Sequence, residues 1–240
     1  MKTVTFTETV EAKTKLDVLV EIGSVEIRPS TDQNLHVTAT YRHMDVWVER
    51  LGDTILVHAE QEDDFIQKLT RWFSNDHPKA ELIIELPAHC PVQAKTVTGS
   101  MEIEGIAAPV SARVVTGQLQ LRDIDGPIYA KTVTGRLTYS GSLTDESHRF
   151  ESATGEIVLT LPETVNAQLS AKTGTGSLRC KLPLTDQREE RHLVGGKLWG
   201  TLGSGTGRIK AQIGTGSLEI RPFLPKQKEP EKLISKPELV

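Results

Sequence analysis

One phrase is repeated along the chain: an alternating strand, a threonine, a glycine and a second alternating strand. It reads AKTVTGSMEI from residue 94, ARVVTGQLQL from residue 112 and AKTVTGRLTY from residue 130. A period near twenty residues is typical of solenoids, in which each repeat buries its apolar face only against its neighbours. The glycine recurs at spacings of 18, 18, 20, 21, 31 and 9 residues, at Gly99, Gly117, Gly135, Gly155, Gly176, Gly207 and Gly216.

The alternation changes phase at each glycine. Before Gly135 the inward parity belongs to Ala130 and Thr132, and after it to Leu137 and Tyr139. Because a shift of one residue would turn a continuous strand inside out, the pattern predicts a bend at the glycine, which adopts positive φ without steric cost. Strand, corner, strand and turn make one coil of 18–21 residues. The sequence therefore predicts an all-β protein built as a parallel β-solenoid.

The repeat predicts a single solenoid domain over residues 1–221. LDVLVEIGSVEI, which contains Gly23, is an upstream copy of the phrase. Residues 35–87 alternate without the threonine-glycine corner, and RLGDT within them predicts a hairpin turn. We expect a small β region there that caps or interrupts the solenoid, followed by regular coils over residues 88–221. The tail 222–240, rich in Pro, Lys and Glu, is expected to be disordered.

The segment DDFIQKLTRWFS has the period of a helix. Its apolar residues recur at i, i+1, i+4, i+7 and i+8, and Asp63 or Asp64 can cap its N-terminus. We expect a short amphipathic helix at residues 63–74 that either covers an open end of the solenoid or docks on a partner or a membrane surface. Its apolar stripe consists of Phe65, Ile66, Leu69, Trp72 and Phe73.

Basic residues recur at one outward position of the repeat. In consecutive coils their side chains would stand about 4.8 Å apart, and like charges directly opposed on a sheet are destabilising. Two explanations stay open: solvent and nearby carboxylates such as Glu102, Glu104 and Glu156 screen the charges, or the residues bind an anionic polymer. The residues are Lys95, Arg113, Lys131 and, after Glu151, Lys172.

The threonines of the repeat also allow two interpretations. Thr96 and Thr98 share the parity of Ala94, so we expect both to point inward and to hydrogen-bond along the stack. The alternative is an exposed ladder of T-x-T pairs that orders water, as in β-solenoid ice-binding proteins.

The sequence contains no catalytic motif and no metal-ligand spacing. GSGTG at residues 203–207 lacks the third glycine of a dinucleotide fingerprint. Cys90 and Cys180 lie ninety residues apart, which is typical of two unrelated buried thiols. Asp123 and Asp125 could imitate the paired carboxylates of a glycosidase, but DIDG is typical of a turn. We therefore expect a protein that is not an enzyme and has no cofactor or metal.

Composition narrows the partners and the compartment. The formal net charge is −4, so there is no overall basic field for nucleic acid. No window approaches the roughly 18 apolar residues of a membrane span, and the polar start MKTVTFTETVEAKTK lacks the apolar core of a signal peptide. We expect a cytoplasmic protein, or a protein of the cell envelope if a leader has been removed.

The stretch ELIIELPAHCPVQAKTVTGSMEIEGI and the copies after it resemble the bacterial "putative adhesin" β-solenoid family, a domain of unknown function. Its members have a strand that ends in proline, here Leu86-Pro87, and then serial coils of x-T-x-[ST]-G-x-[apolar]-x-[apolar]. The resemblance covers residues 16–221.

This resemblance implies a non-enzymatic, adhesin-like scaffold that presents flat sheet faces to a protein or to an anionic polymer such as a polysaccharide. The family has no site residues to carry over to this chain. Two alternatives stay open: a self-assembling, cytoskeleton-like solenoid polymer, and a polysaccharide-active β-helix enzyme.

Overall fold

The computed structural model describes residues 1–61, 77–191 and 194–223. Within these ranges every regular element is a β-strand, which confirms the all-β prediction, and fourteen strands form one mostly parallel sheet that does not close on itself. The strands are β1 (Lys2–Thr9), β2 (Lys15–Pro29), β3 (Asn34–Arg42), β4 (Met44–Leu51), β5 (Thr54–Gln61), β6 (Lys79–Leu86), β7 (Val92–Glu104), β8 (Val110–Arg122), β9 (Ile128–Ser140), β10 (Ser147–Leu161), β11 (Ala167–Cys180), β12 (Thr185–Arg191), β13 (Gly196–Leu202) and β14 (Gly207–Pro222).

The order of the strands across the sheet differs from their order along the chain. It runs β1-β3-β6-β2-β7-β8-β9-β10-β14-β11-β13-β12, with β5 pairing β2 and β4 beside this path. The sequence pattern placed the repeat of Gly176 directly after that of Gly155, and this is wrong, because β14 lies between them with Gly216 paired to both glycines. β11 and β14 carry the same GTGSL corner, so the pattern alone cannot decide which of them neighbours β10.

The long parallel strands fold back at their glycines. β7 has 13 residues and would span about 40 Å if it were straight. Only residues 105–109 join its end to the start of β8, and a connection of that length reaches roughly 20 Å at most. Since the two strands pair in parallel from Val92↔Val110 to Glu104↔Arg122, the chain returns only because β7 bends near its middle.

The bends divide the sheet into two facing layers. Layer A contains the strand halves before the glycines together with β4, β5, β12 and β13, and layer B contains the halves after the glycines together with β1, β3 and β6. β2 shows the division, since residues 15–20 pair with β5 and residues 23–29 pair with β6. The inward side chains of both layers form one hydrophobic core, in which the rings of Tyr139 and Phe150 lie 5.6 Å apart.

The corner leaves no room for a side chain. At Gly135, with φ of +140°, a Cβ would lie 1.8 Å from the carbonyl oxygen of Gly117 in the neighbouring strand. Glycine is therefore required both for the positive φ and for the close approach of the two backbones. Gly207, which the repeat analysis counted as a corner, was a wrong assignment: it begins β14 and lacks a positive φ. The corner glycines are Gly23, Gly99, Gly117, Gly135, Gly155, Gly176 and Gly216.

Replacing a corner glycine tests this constraint. We expect Gly135→Ala to lower the free energy of unfolding by at least about 3 kcal/mol, because the backbone of β8 or β9 must move to admit the methyl group. Gly52→Ala is the matched control: Gly52 also has a positive φ, +59°, but no atom lies within 4 Å of where its Cβ would be, so the cost is about 1–2 kcal/mol. Urea denaturation measures both, and equal losses would contradict the corner.

The threonines of the repeat separate into a buried row and an exposed row. Thr96 is buried as predicted, but the inward orientation predicted for Thr98 is wrong, because Thr98 is exposed. The phase shift begins at Val97, which the pairing with β8 skips. The exposed threonines form a single file rather than T-x-T pairs, since the other threonine of each pair faces the core. They lie in register at Thr98, Thr116, Thr134, Thr154, Thr215 and Thr175.

The buried threonines do not hydrogen-bond along the stack as expected. The hydroxyl groups of Thr96 and Thr132 have no partner. Their cross-strand neighbours include Val20 and Val114, which offer no polar atom from the side chain. A buried hydroxyl without a partner costs about 1–3 kcal/mol, so these residues weaken the core at this level.

We expect Thr132→Val to raise the free energy of unfolding by about 1 kcal/mol, because valine keeps the branched shape and removes the unsatisfied hydroxyl. Thr134→Val, two residues further along at the exposed row, is the control and changes stability by less than about 0.5 kcal/mol. Chemical denaturation measures both. A loss of stability in Thr132→Val would show that its hydroxyl has a partner.

The region of residues 35–87 joins both layers. The predicted RLGDT hairpin is confirmed, with β4 and β5 antiparallel and Gly52 at φ +59° in the turn. β14 continues through Pro222, and residues 224–240 lie outside the described ranges. No helix among the described residues is long and apolar enough to cross a membrane. The predicted amphipathic helix is not confirmed: it lies outside the described residues, as does its stripe of Phe65, Ile66, Leu69, Trp72 and Phe73.

Candidate functional site

The candidate site is the outer surface of layer A, where outward side chains line up in two rows across neighbouring strands. Paired positions in adjacent strands lie about 4.8 Å apart. The aromatic row consists of Gln93, Ser111, Tyr129, Arg149, Lys210, Ser170 and Trp199. The basic row lies two residues further along each parallel strand, and two residues earlier on the antiparallel strand β13. It consists of Lys95, Arg113, Lys131, Glu151, Gln212, Lys172 and Lys197.

The structure brings the basic residues of the repeat together. Lys95, Arg113 and Lys131 stand side by side on β7, β8 and β9. Lys172 was expected next to Glu151, but the insertion of β14 places Gln212 between them.

Three further cations of the two rows, Lys197, Lys210 and Arg149, were not predicted as surface residues from the sequence. Lys197 extends the basic row on β13, a strand that lacks the threonine-glycine phrase. Lys210 on β14 pairs with Arg149 in the aromatic row. Its position, six residues before Gly216, corresponds to Gln93 before Gly99, so the repeat itself contained the signal for Lys210.

Several cations of the basic row have no carboxylate within 4 Å in the part of the chain that the structure describes. Within the described residues the ion pairs of this row are Lys131–Glu151 at 3.6 Å and Lys197–Glu190 at 3.2 Å. Glu151 also pairs with Arg149, so its charge is shared. Among the cations without a carboxylate within 4 Å, the exposed ones of this row are Lys95, Arg113 and Lys172.

The carboxylates expected to screen the basic row lie on the outer surface of layer B instead. Glu102, Glu104 and Glu156 all follow a corner glycine and so belong to the other layer. Glu102 and Glu104 contact Arg122, and Glu156 accepts from Arg136 at 2.8 Å. These two layer B cations are paired with carboxylates, whereas Lys95, Arg113 and Lys172 of the basic row have no carboxylate within 4 Å among the described residues.

Two aromatic side chains, Tyr129 and Trp199, lie beside the basic row, both on the side of the aromatic row. Tyr129 is 38% exposed, and the guanidinium carbon of Arg149 lies 5.6 Å from its ring centroid. Lys197 places its ammonium nitrogen 5.6 Å from the ring centroid of Trp199. Both rings therefore combine a flat apolar face with an adjacent positive charge.

Each aromatic ring lines an open groove. Tyr129 and Arg149 lie in a groove of about 550 Å³ along the starts of β7, β8, β9 and β10. Trp199 lies in a second groove of about 570 Å³ with Arg188 and Arg208. Both grooves lie along the aromatic row, and the second is also lined by the acidic residues Asp186, Glu189 and Glu190.

Residues 1–61, 77–191 and 194–223 contain no group of three or more His, Cys, Asp or Glu side chains that could hold a metal. Asp123 and Asp125 lie in the turn after β8, where Asp123 has φ of +48° and the Asp125 N–H donates to the Ile106 carbonyl. Their arrangement is that of a turn.

Two carboxyl groups have lowered pKa values. The pKa of Asp32 is lowered, mainly by the backbone N–H of Asn34, and the pKa of Glu219 is lowered, mainly by a hydrogen bond from Lys181. A general acid needs the opposite shift. Burial raises the pKa of Cys90 to about 11, so this thiol is protonated and unreactive at neutral pH.

His148 is a titratable group enclosed in the core. Its ring is fully buried on β10 beside Ile209 of β14. Nε2–H donates to the Thr144 carbonyl at 2.9 Å, while Nδ1 has no partner. Burial lowers the pKa of His148, and the Thr144 bond and the charge of Glu146 offset this only in part.

This lowered pKa predicts a loss of stability in mild acid. Because the folded-state pKa lies below the ordinary value of 6.5, the unfolded chain takes up the proton more readily, so the free energy of unfolding falls as the pH drops below about 6.5. We expect His148→Leu to flatten this dependence between about pH 7 and pH 5. His89→Gln, at an exposed position, is the control and keeps the wild-type slope. Denaturation at several pH values measures this, and identical slopes in wild type and His148→Leu would contradict it.

Comparisons with known proteins find distant structural likenesses. No family model matches the chain, and no curated protein sequence matches it. A "putative cell adhesion protein" from Clostridium sporogenes is 16% identical, with a TM-score of 0.49 over 92% of this chain and 100% of that one. A "putative adhesin" from Bacteroides fragilis is 12% identical, with a TM-score of 0.33 over 92% and 97%. A "putative lipid binding protein" from Parabacteroides distasonis is 10% identical, with a TM-score of 0.26 over 92% and 97%. Likenesses this distant carry no inference about function.

Proposed function

We propose that the protein is a non-enzymatic, adhesin-like β-solenoid scaffold whose layer A binds an anionic polysaccharide. The observation that carries the proposal is the set of exposed cations without counterions, Lys95, Arg113 and Lys172, in register with further cations on one flat surface.

The solenoid part of the proposal rests on the bent strands. Gly99, Gly117 and Gly135 pair in register at an offset of 18 residues. The connections repeat this stacking, since the Asp125 N–H donates to the Ile106 carbonyl 19 residues earlier in the chain. Each strand, corner and return is then one coil of a solenoid, and its outward side chains repeat at the same height in every coil.

The energetic argument concerns the cost of the basic row. Like charges facing each other in adjacent strands destabilise a sheet by roughly 0.2–1 kcal/mol per pair. On layer B the same architecture pairs several cations with carboxylates, as in Arg136–Glu156, so the fold allows such charges to be compensated. An anionic ligand bound along the row would offset the repulsion between neighbouring cations, and this gain favours binding.

The dimensions favour a polymer over a small anion. The basic row extends across seven strands, from Lys95 to Lys197, which corresponds to about 29 Å. The exposed ring of Tyr129 and the half-buried ring of Trp199 beside the row offer flat faces for sugar rings, and the open grooves around them suit an extended chain. Charge and stacking together match an acidic polysaccharide better than a charged polymer without rings.

The test measures binding of dextran sulfate, with neutral dextran of equal length as the ligand control. The test variant changes Lys95, Arg113, Lys172 and Lys210 together to glutamine. We expect wild type to bind dextran sulfate but not dextran, with affinity that falls as salt is added. We expect the variant to bind at least about tenfold more weakly, a change of about 1.4 kcal/mol, while its unfolding free energy stays equal or rises.

The matched control changes four cations of layer B to glutamine and alters the net charge by the same amount. Binding of this control within about twofold of wild type would place the ligand on layer A. Equal weakening of both variants would mean that only overall charge matters, and unchanged binding in the layer A variant would refute the proposed surface. The control residues, each paired with a glutamate, are Arg28, Arg122, Arg136 and Lys181.

A further inference from the structure

The two ends of the strand order are protected very differently against pairing with another chain. β12, at one end, reads TDQREER and is exposed along its whole length. Charged side chains along an edge are a common protection against edge-to-edge association. β1, at the other end, reads KTVTFTET and pairs only with β3 among the described strands. Its central residues 3–7 are uncharged and rich in β-forming types.

The charges of β1 are arranged symmetrically about Thr5. Lys2 lies three residues before Thr5, and Glu8 lies three residues after it. In an antiparallel pair of two identical strands centred on Thr5, each Lys2 therefore faces a Glu8. We propose that β1 of one copy pairs with β1 of a second copy in this register, so that layer B continues across a closed twofold dimer.

Every cross-strand pair in this register is of a favourable kind. Lys2 faces Glu8, which is an opposite-charge pair, and Val4 faces Phe6, which pairs a β-branched with an aromatic side chain. Thr3 faces Thr7, and Thr5 faces itself across the twofold axis. Opposite charges, aromatic with β-branched residues, and threonine pairs each stabilise a sheet by roughly 0.2–1 kcal/mol, in addition to the backbone hydrogen bonds of an added strand.

Burial selects the same register. Val4 and Phe6 point toward the core and are half-buried, whereas Thr3, Thr5 and Thr7 are exposed. A register shifted by one residue would bring the core side of one copy to the outer side of the other. A register shifted by two residues would keep the sides but separate Lys2 from Glu8. The centred register alone covers the apolar residues and pairs the charges.

A second copy of this chain fits the β1 edge better than a peptide of another protein does. A peptide of another protein would need its own complementary charges at a spacing of six residues, whereas a second copy supplies them by symmetry. Because the contact is isologous, it closes after two copies and uses up the β1 edge of both. The edge strands β4 and β12 belong to layer A and lie outside this contact, and both carry charged side chains.

Sedimentation equilibrium of the full chain over a wide concentration range tests this dimer. We expect the mass of wild type to rise from 26.4 kDa toward about twice that value and no further. Lys2→Glu and Glu8→Lys should each stay monomeric at concentrations where wild type is dimeric, because each creates two like-charge contacts across the twofold axis. An equimolar mixture of the two variants should dimerise again, because both contacts become attractive in the mixed pair, as should the double variant Lys2→Glu/Glu8→Lys.

Arg188→Glu on the edge of β12 is the matched control, with the same charge change as Lys2→Glu, and should leave the dimer intact. The proposal is overturned if wild type stays monomeric at every concentration, if either single variant dimerises like wild type, or if the mixture stays monomeric. Growth beyond the dimer would also overturn it, since that requires another edge. The mixing experiment needs no assumption about stability, because a variant that failed to fold could not restore its partner.

Discussion

The contact on which the rest of this structure depends is between two backbones: the carbonyl oxygen of one corner glycine lies where the Cβ of the next would be. This contact allows a strand of 13 residues to turn back within itself, so that five residues suffice to reach the next strand. The column of corners then holds all long strands in the same register. The two layers, the single core between them and the straight rows on their outer surfaces follow from that register.

Much of this architecture could be predicted from the sequence, because period and phase have direct structural meanings. The change of phase between Thr132 and Leu137 requires a corner, and the structure places positive φ at Gly135. The inward orientation predicted for Thr98 was wrong, because the phase of the alternation changes over several residues from Val97 onward and not at the glycine alone. The order of the strands in the sheet could not be predicted from the sequence, because β11 and β14 have the same GTGSL corner and either would fit beside β10.

The sequence predicted which basic residues of the repeat face outward, but not whether carboxylates pair with them. Parity alone places Lys95 and Arg113 on the outside. Whether Glu102 neutralises them depends on the layer it occupies, and closeness in sequence suggested the wrong answer. Once the corner is recognised, the rule is simple: a residue after the glycine lies on the opposite surface from a residue before it. Trp199 was not predictable in this way, because its strand joins the sheet without the repeat.

The position of β14 also constrains the order in which the molecule can form. This strand is the last one along the described chain, yet it lies between β10 and β11 and is the strand that joins them in the sheet. Before β14 forms, the described strands fall into two groups that share no pairing, one that contains β1 to β10 and one that contains β11, β13 and β12. The sheet therefore becomes continuous only when β14 pairs with β10 on one side and with β11 on the other. A single strand thus carries the connection between two parts of the molecule, and weakening its pairing would uncouple them.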